Sequence, residues 1–375
     1  MLTVYRSNKA EWLAKLLAEQ LRLDPPGLFE SIDIIVSTWP TSRWLGEELS
    51  IVNGINSQVN FPFPGSHLRK LVRMIQKIDL EKNDPWQANE LTWRILEILP
   101  DFLRIEEASD LKNWIESQPQ KSGRLNRSEW QLAKSIASMF DDYILYRPNI
   151  INKWMELTEL SQRSLGSLPP QLYWQPILFK LLAKHINYDP YGIQVKNAIN
   201  RIRQDDICKY HLPNPLYIFG ISSLAPLQID LIQALSGTIE IKLFLLTPCR
   251  DLWKRCRSRR EELGSSWNNP PDKKWLINSP RLEANLGRMG SEFQQLLEGS
   301  GEYQLGEWEE QELFAMQSKI AENQGLKATF LEQLQQKLVQ DEDKTKLRRS
   351  SHDDSLIFME APGKRRQVQI IHDQV

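Results

Sequence analysis

The sequence predicts an α/β protein: a parallel sheet with a large all-helical insertion, followed by the start of a second α/β unit. Three observations predict it. Short apolar, β-branched runs, Ile32–Val36 foremost, are too apolar for a sheet with one solvated face and fit strands covered on both sides. These runs alternate with segments whose apolar residues recur at helical spacing. From about Pro64 to about Lys209 that helical period continues nearly throughout.

Composition sets limits before any element is placed. Across 375 residues, 47 Lys and Arg face 48 Asp and Glu, a formal net charge of −1. That balance excludes a polycation, so nucleic-acid contacts have to come from local basic patches. The hydrophobic share of 41% argues against disorder, and the length allows two or three domains with real cores. Cys208, Cys249 and Cys256 are too few, and wrongly spaced, for a disulfide scaffold; they fit a reducing compartment. No stretch approaches the roughly 20 apolar residues that span a bilayer, and Met1–Arg6 lacks a signal-peptide layout. A cytoplasmic protein without membrane contact is expected. Most of the thirteen tryptophans are read as packing anchors, and a minority on loops as base-stacking platforms.

The elements follow in order. Leu2–Tyr5 is a short strand, and Trp12, Leu13, Leu16, Leu17 and Leu21 mark a helix that Asp24-Pro-Pro-Gly27 breaks. Ile32–Val36 is the buried strand. The turn Ser37–Ser42 leads to a helix carrying Trp44, Leu45, Leu49 and Val52. A strand, turn and helix is where a phosphate-binding loop sits, and that loop needs glycines for backbone approach and a lysine. This turn has neither, and Pro40 removes an amide donor. The insertion then supplies helices at Leu68–Ile75, Leu91–Leu103, Leu111–Ile115, Ser128–Leu145 (capped by Asn126 or Ser128), Asn149–Met155, Pro176–Ile186 and Tyr191–Ile202.

The sheet resumes at Pro215–Gly220, with a helix at Pro226–Leu235 and a strand at Ile239–Leu246. An ATPase of the helicase type ends such a strand in an acidic pair that holds magnesium. Here Gly220-Ile-Ser-Ser223 follows Phe219, without a carboxylate. The basic cluster Lys254, Arg255, Arg257, Arg259 and Arg260 reads as a solvated face or as phosphate contacts. Glu302–Asp343 is polar and reads as linker or surface helices; Ser355–Met359 reads as a new strand, and Lys364–Ile371 as a new helix. The expected organisation is a core of residues 1–78 and 212–262, an inserted helical domain at 79–211, a polar linker at 263–350, and the start of a truncated second domain at 351–375. The five scattered histidines, and Cys249 with Cys256, give no metal spacing, and no nucleophile–base pair is legible, so neither catalytic residues nor a metal are expected.

Seven motifs carry a resemblance. They are Leu2–Asn8, Ser37–Leu45, Asn60–Pro64, Phe140–Pro148, Phe219–Pro226, Thr247–Trp253 and Glu360–Asp373. In order and spacing this chain resembles the N-terminal third of the RecC family, the gamma chains of the bacterial exodeoxyribonuclease V heterotrimer. The resemblance implies a helicase-like fold, a degenerate P-loop NTPase that has lost its ATP site. It implies a non-catalytic scaffold that splits forked double-stranded DNA, threads single-stranded DNA through a channel and scans it for Chi in recombinational double-strand break repair. ATP and magnesium would be used by the partner chains, the beta (RecB-like) and alpha (RecD-like) subunits.

Position by position, the resemblance makes Trp39, Arg43, Phe63, Arg69, Asp141, Arg147 and, more weakly, Lys196 channel residues for DNA. Asp141 and Arg147 match the family pattern best. Trp39, Arg43 and Arg69 depart from the best-known members, which bears on the DNA sequence recognised rather than on the channel. From the residues alone, Arg147 also reads as a helix-end cation, Asp141 as a lysine's partner and Phe63 as core. Two other classes stay open: a P-loop-type ATPase or other α/β enzyme with an unrecognised site, and an inactive truncated fragment.

Overall fold

The computed structural model describes residues 1–27, 29–79, 83–118, 127–156, 168–204, 212–249, 287–298, 308–340 and 346–374. Six parallel strands form one sheet: β1 (Leu2–Ser7), β2 (Ile32–Val36), β3 (Val59–Asn60), β4 (Leu216–Phe219), β5 (Ile241–Leu246) and β6 (Trp308–Leu313), in the order β3-β2-β4-β5-β1-β6. Register is set residue by residue, Leu2 opposite Ile241, Leu216 opposite Ile241, and Ile34 opposite Tyr217.

The alternation of a strand sends successive side chains to opposite faces, and both faces here are covered. Leu2, Val4, Ile35, Leu216, Ile218, Ile241, Leu243 and Leu245 join the core shared with the helical insertion. Tyr5, Ile34, Val36, Tyr217, Phe219 and Phe244 form a second core with α1 (Ala10–Leu23) and α2 (Trp39–Asn53). This double burial is why the strands read as continuous apolar runs.

Between β3 and β4 lie α3 (Pro64–Gln76), α4 (Ala88–Phe102), α5 (Ser109–Ser117), α6 (Arg127–Tyr146), α7 (Pro148–Glu156), α8 (Trp174–Ile186) and α9 (Tyr191–Arg203). Aromatic rings knit this group: Trp86 stacks on Phe179 at 4.7 Å, and Phe140 meets Phe179 edge-on at 5.2 Å. After β4 comes α10 (Pro226–Ser236), against which the Arg288–Glu298 helix packs with Phe293 and Leu297 buried.

Three sequence expectations change. The polar stretch Glu302–Asp343 contains helices as read, Gln317–Asn323 and Phe330–Gln340, but also a strand that was not read, β6, which pairs in parallel with β1 from Leu2–Trp308 to Ser7–Leu313. Ser355–Met359 is no strand: it bends at Ser355 and Leu356 and pairs with no neighbouring strand among the described residues, with Phe358 86% exposed. The turn after β2 is shorter than Ser37–Ser42: α2 starts at Trp39, with Thr38 as N-cap accepting from the Thr41 N–H at 3.3 Å. Pro40 sits in the first helical turn, where its missing N–H costs nothing. The Lys254–Arg260 cluster, Cys208, Cys256, Asn126 and the end of the Thr247–Trp253 motif lie outside the described residues.

Candidate nucleic-acid interface

Two places at the carboxyl edge of the sheet concern function. The first is the topological switch point. From β1 the chain crosses to β2, beyond β5 and β4; from β5, the neighbour of β1, it goes on to β6 on the other side of β1. Ligands of open α/β sheets bind in the crevice at such a reversal. A phosphate loop therefore belongs after β1, not after β2 as the local pattern suggested. The residues after β1 are Ser7-Asn8-Lys9, without a glycine.

They are also engaged with their own protein. The Asn8 Nδ2 donates to the Ala315 carbonyl at 3.0 Å, and the Ala315 N–H donates to Asn8 Oδ1 at 2.7 Å. Ser7 Oγ donates to the Leu313 carbonyl at 2.7 Å and accepts from the Lys9 N–H at 3.0 Å. Across the crevice, Thr247 Oγ1 donates to the Cys249 carbonyl and accepts from Gln294 Nε2 at 2.7 Å. Ser7, Thr247 and Gln294 are buried. The groups that would have to turn towards a triphosphate are bonded within the fold, and β4 ends in Gly220 at φ 64° without an acidic pair. Among the described residues, neither strand end offers the glycine-rich loop or the acidic pair that ATP with magnesium requires. Sequence reading missed this set because strand order is a non-local property.

The second place lies one strand pair away, where β2 ends. The Val36 N–H donates to the Pro62 carbonyl at 3.1 Å, which ties the Phe61–Pro64 stretch to the strand end. Trp39, the first residue of α2, is 64% exposed; the Arg43 guanidinium lies 6.0 Å from its ring and 3.4 Å from Glu47. Phe63, the N-cap of α3, is 44% exposed. Three of the seven residues thus share one edge, with aromatic faces and a cation open to solvent.

Arg69 and Asp141 have a different setting. Arg69 Nη1 donates to Asp84 at 2.6 Å, Nη2 reaches Asp141 at 3.3 Å, and its guanidinium lies 4.2 Å from the Tyr191 ring centroid. Asp84 also accepts from the Trp86 N–H, and Asp141 from the Ala88 N–H at the start of α4. Burial raises the Asp141 carboxyl above its ordinary value against the pull of Arg69, and burial likewise raises the Tyr191 phenol. The ion network ties α3, α4, α6 and α9 together, so these two side chains set the geometry of the insertion.

Arg147 is exposed at the junction of α6 and α7, its guanidinium 5.7 Å from the Tyr143 ring. α9 presses on that junction through Gly192: a Cβ there would stand 3.1 Å from the Ile144 carbonyl oxygen and 3.4 Å from Pro148. Lys196, one turn further along α9, is exposed. Arg147 and Lys196 therefore belong to one corner of the insertion, reached from Phe63 along α3 through the Arg69–Tyr191 stack. Among the described residues, no ion pair, hydrogen bond or ring contact joins this corner directly to Trp39 or Arg43. No group of three or more His, Cys, Asp or Glu among them is placed to hold a metal, and no helix is long and apolar enough to cross a membrane.

Fold and edge together define a doubly wound parallel α/β protein whose switch point is closed by its own side chains. The chain belongs to the RecC family: the model of the RecC N-terminal domain matches residues 2–341. It is 30% identical over 262 residues to the RecBCD enzyme subunit RecC of Escherichia coli K12, across 68% of this chain and 22% of that protein. The subunit RecC of Haemophilus influenzae is 28% identical over 271 residues, covering 68% and 24% of the two chains. That of Mycobacterium tuberculosis is 26% identical over 310 residues, covering 79% and 26%. The chain spans about a quarter of the length of the curated relatives it matches.

Proposed function

We propose that this chain is the DNA-handling, non-catalytic part of a RecBCD-type helicase–nuclease acting in double-strand break repair by homologous recombination. Its family membership over residues 2–341 is the observation that carries the reading. In it, the sheet with β1 at its switch point is a helicase-like core (1–78 and 212–249, completed by β6) that has exchanged nucleotide binding for the Asn8–Ala315 closure, and the helices between β3 and β4 are the inserted helical domain. RecB-like and RecD-like partner chains in the cytoplasm supply the ATP and magnesium chemistry, while this chain splits the fork and scans the separated strand for Chi.

The physical basis of the DNA contact is local. Trp39 and Phe63 offer faces on which bases stack, and Arg43, Arg147 and Lys196 offer cations to phosphates, on a protein without a net positive field. Arg69 and Asp141 shape the channel wall from within their network. Fluorescence anisotropy with a labelled single strand tests this reading. Weak, salt-sensitive binding that falls in a Trp39→Ala and Phe63→Ala double variant is expected. Binding indifferent to those changes and to Arg147→Ala would remove the proposed surface.

A further inference from the structure

The opposite, amino edge of the sheet carries a cleft that neither the family reading nor the DNA surface uses. Its volume is about 540 Å³, and its walls include Asp24, Glu30, Asp33, Asn214, Pro215 and Tyr217. Four prolines, Pro25, Pro26, Pro213 and Pro215, stand along the two rims and fix their backbones. Among the described residues that line the cleft, three are carboxylates and none is basic. Helix α1 ends at this rim, with Asp24 as its C-cap, so the negative end of the helix dipole points the same way.

A second observation is independent of the acids. Tyr217 is 3% exposed, yet it forms part of the cleft wall, and among the described residues its hydroxyl makes no hydrogen bond. A hydroxyl in a cleft wall without a partner in the protein is open to one from outside. Burial, aided by the charges of Glu240 and Asp24, pushes this phenol up to about 12, so it stays protonated at neutral pH and its oxygen is free to accept. Lys242 lies 5.7 Å from the ring centroid and is held 3.5 Å from Glu240. Of the acids, Asp33 already accepts from Asn60 and Glu30 from the Gly27 N–H, whereas the Asp24 side chain has no ion-pair partner among the described residues.

We infer that this cleft binds an organic cation, an alkylammonium or guanidinium group whose N–H bonds are received by Asp24, Glu30 and the Tyr217 hydroxyl. Such a group comes from a lysine or arginine side chain of a polypeptide partner or from a free polyamine, and the experiment separates the two. The 375-residue chain is titrated calorimetrically with a blocked Gly-Arg-Gly tripeptide and, separately, with spermidine, in the absence of DNA. Saturable binding is expected. It should fall about fivefold or more in the Asp24→Asn, Glu30→Gln double variant. In Tyr217→Phe, which keeps the ring packing, it should fall about tenfold, as for a lost hydrogen bond to a charged group. Tighter tripeptide binding identifies a polypeptide source; tighter spermidine binding identifies a free polyamine. Absence of saturable binding by both probes, or affinity unchanged in the double variant or in Tyr217→Phe, overturns the site.

Discussion

The side chain of Asn8 and the backbone of Ala315 clasp each other in both directions, with Nδ2 giving to the carbonyl at 3.0 Å and Oδ1 receiving from the N–H at 2.7 Å. Ala315 is fully buried, so neither of its groups has water as an alternative. Asn8→Ala should therefore destabilise the chain by about 1–3 kcal/mol, the cost of leaving buried groups unmade. Asn8→Asp keeps the acceptor and loses the donor, and should fall between. Urea unfolding measures both; an Asn8→Ala variant as stable as the parent would mean that the ladder and the Ser7–Leu313 bond hold β6 without the clasp.

The same clasp follows β1 at the switch point of the sheet, the crevice in which open α/β sheets bind ligands. The expected outcome is that the purified chain turns over no ATP with magnesium. Ser7 and Thr247 are committed to internal bonds, and no carboxylate follows Phe219. Turnover that disappears on Lys9→Ala would show that the crevice opens after all.

The buried strands were legible, and the edge strands and the strand order were not. Ile32–Val36 and Leu216–Phe219 announce themselves because both faces are buried and every residue is apolar or nearly so. β6 reads Trp-Glu-Glu-Gln-Glu-Leu, an edge strand with no apolar alternation, and only its pairing with β1 makes it a strand. Ser355–Met359 is the converse: it has β-type residues and no ladder, so composition alone misled. At the candidate interface, Trp39 and Phe63 were found by motif, and the structure brings them to one strand end. Arg69 was named only by resemblance, as a channel residue, and nothing local reveals that Asp84 and Asp141, 15 and 72 residues away, enclose it.

That enclosure has a measurable consequence. Arg69→Met leaves two carboxylates facing each other in a largely buried site and should cost about 3 kcal/mol or more. Asp141→Asn keeps an acceptor for the Ala88 N–H and should cost less. The pH dependence has a definite sign. The folded Asp141 carboxyl lies above its ordinary value of 3.8, chiefly through burial. Its contribution to stability is thus fully present below 3.8 and is lost as pH rises through the higher folded value. Comparing the melting temperatures of parent and Asp141→Asn across the acid range checks this: the parent should gain on the variant as pH falls.

His67 gives the opposite sign. It is buried in the first turns of α3, with Nδ1 3.7 Å from Asp33 and Nε2 without a partner. Burial lowers its pKa below 6.5, outweighing the pull of Asp33. A group depressed on folding contributes stability that is complete above its unfolded value and lost as pH falls through the folded one. Stability should therefore decline as pH drops below 6.5, and His67→Gln should flatten that decline. An equal acid slope in parent and variant, by urea titration, would assign the loss to other groups.

The DNA surface is tested by asking what Arg147 does. Its backbone N–H donates to the Tyr143 carbonyl at 2.9 Å whatever the side chain is, so Arg147→Ala keeps the turn between α6 and α7. If the guanidinium only complements the α6 terminus, its loss costs about 0.3–1 kcal/mol of stability and leaves DNA affinity alone. As a phosphate contact, its loss weakens single-strand binding by about 1–3 kcal/mol and lowers the salt slope by close to one cation. Trp39→Ala should remove a stacking contact of about 1–3 kcal/mol with little change in salt slope. The two substitutions thus separate by slope as well as by affinity. Because the Arg147 and Trp39 sites lie on different elements, their effects should add within about 0.5 kcal/mol. A double variant no weaker than either single one would show that a strand touches these sites one at a time, not along a continuous path past Phe63.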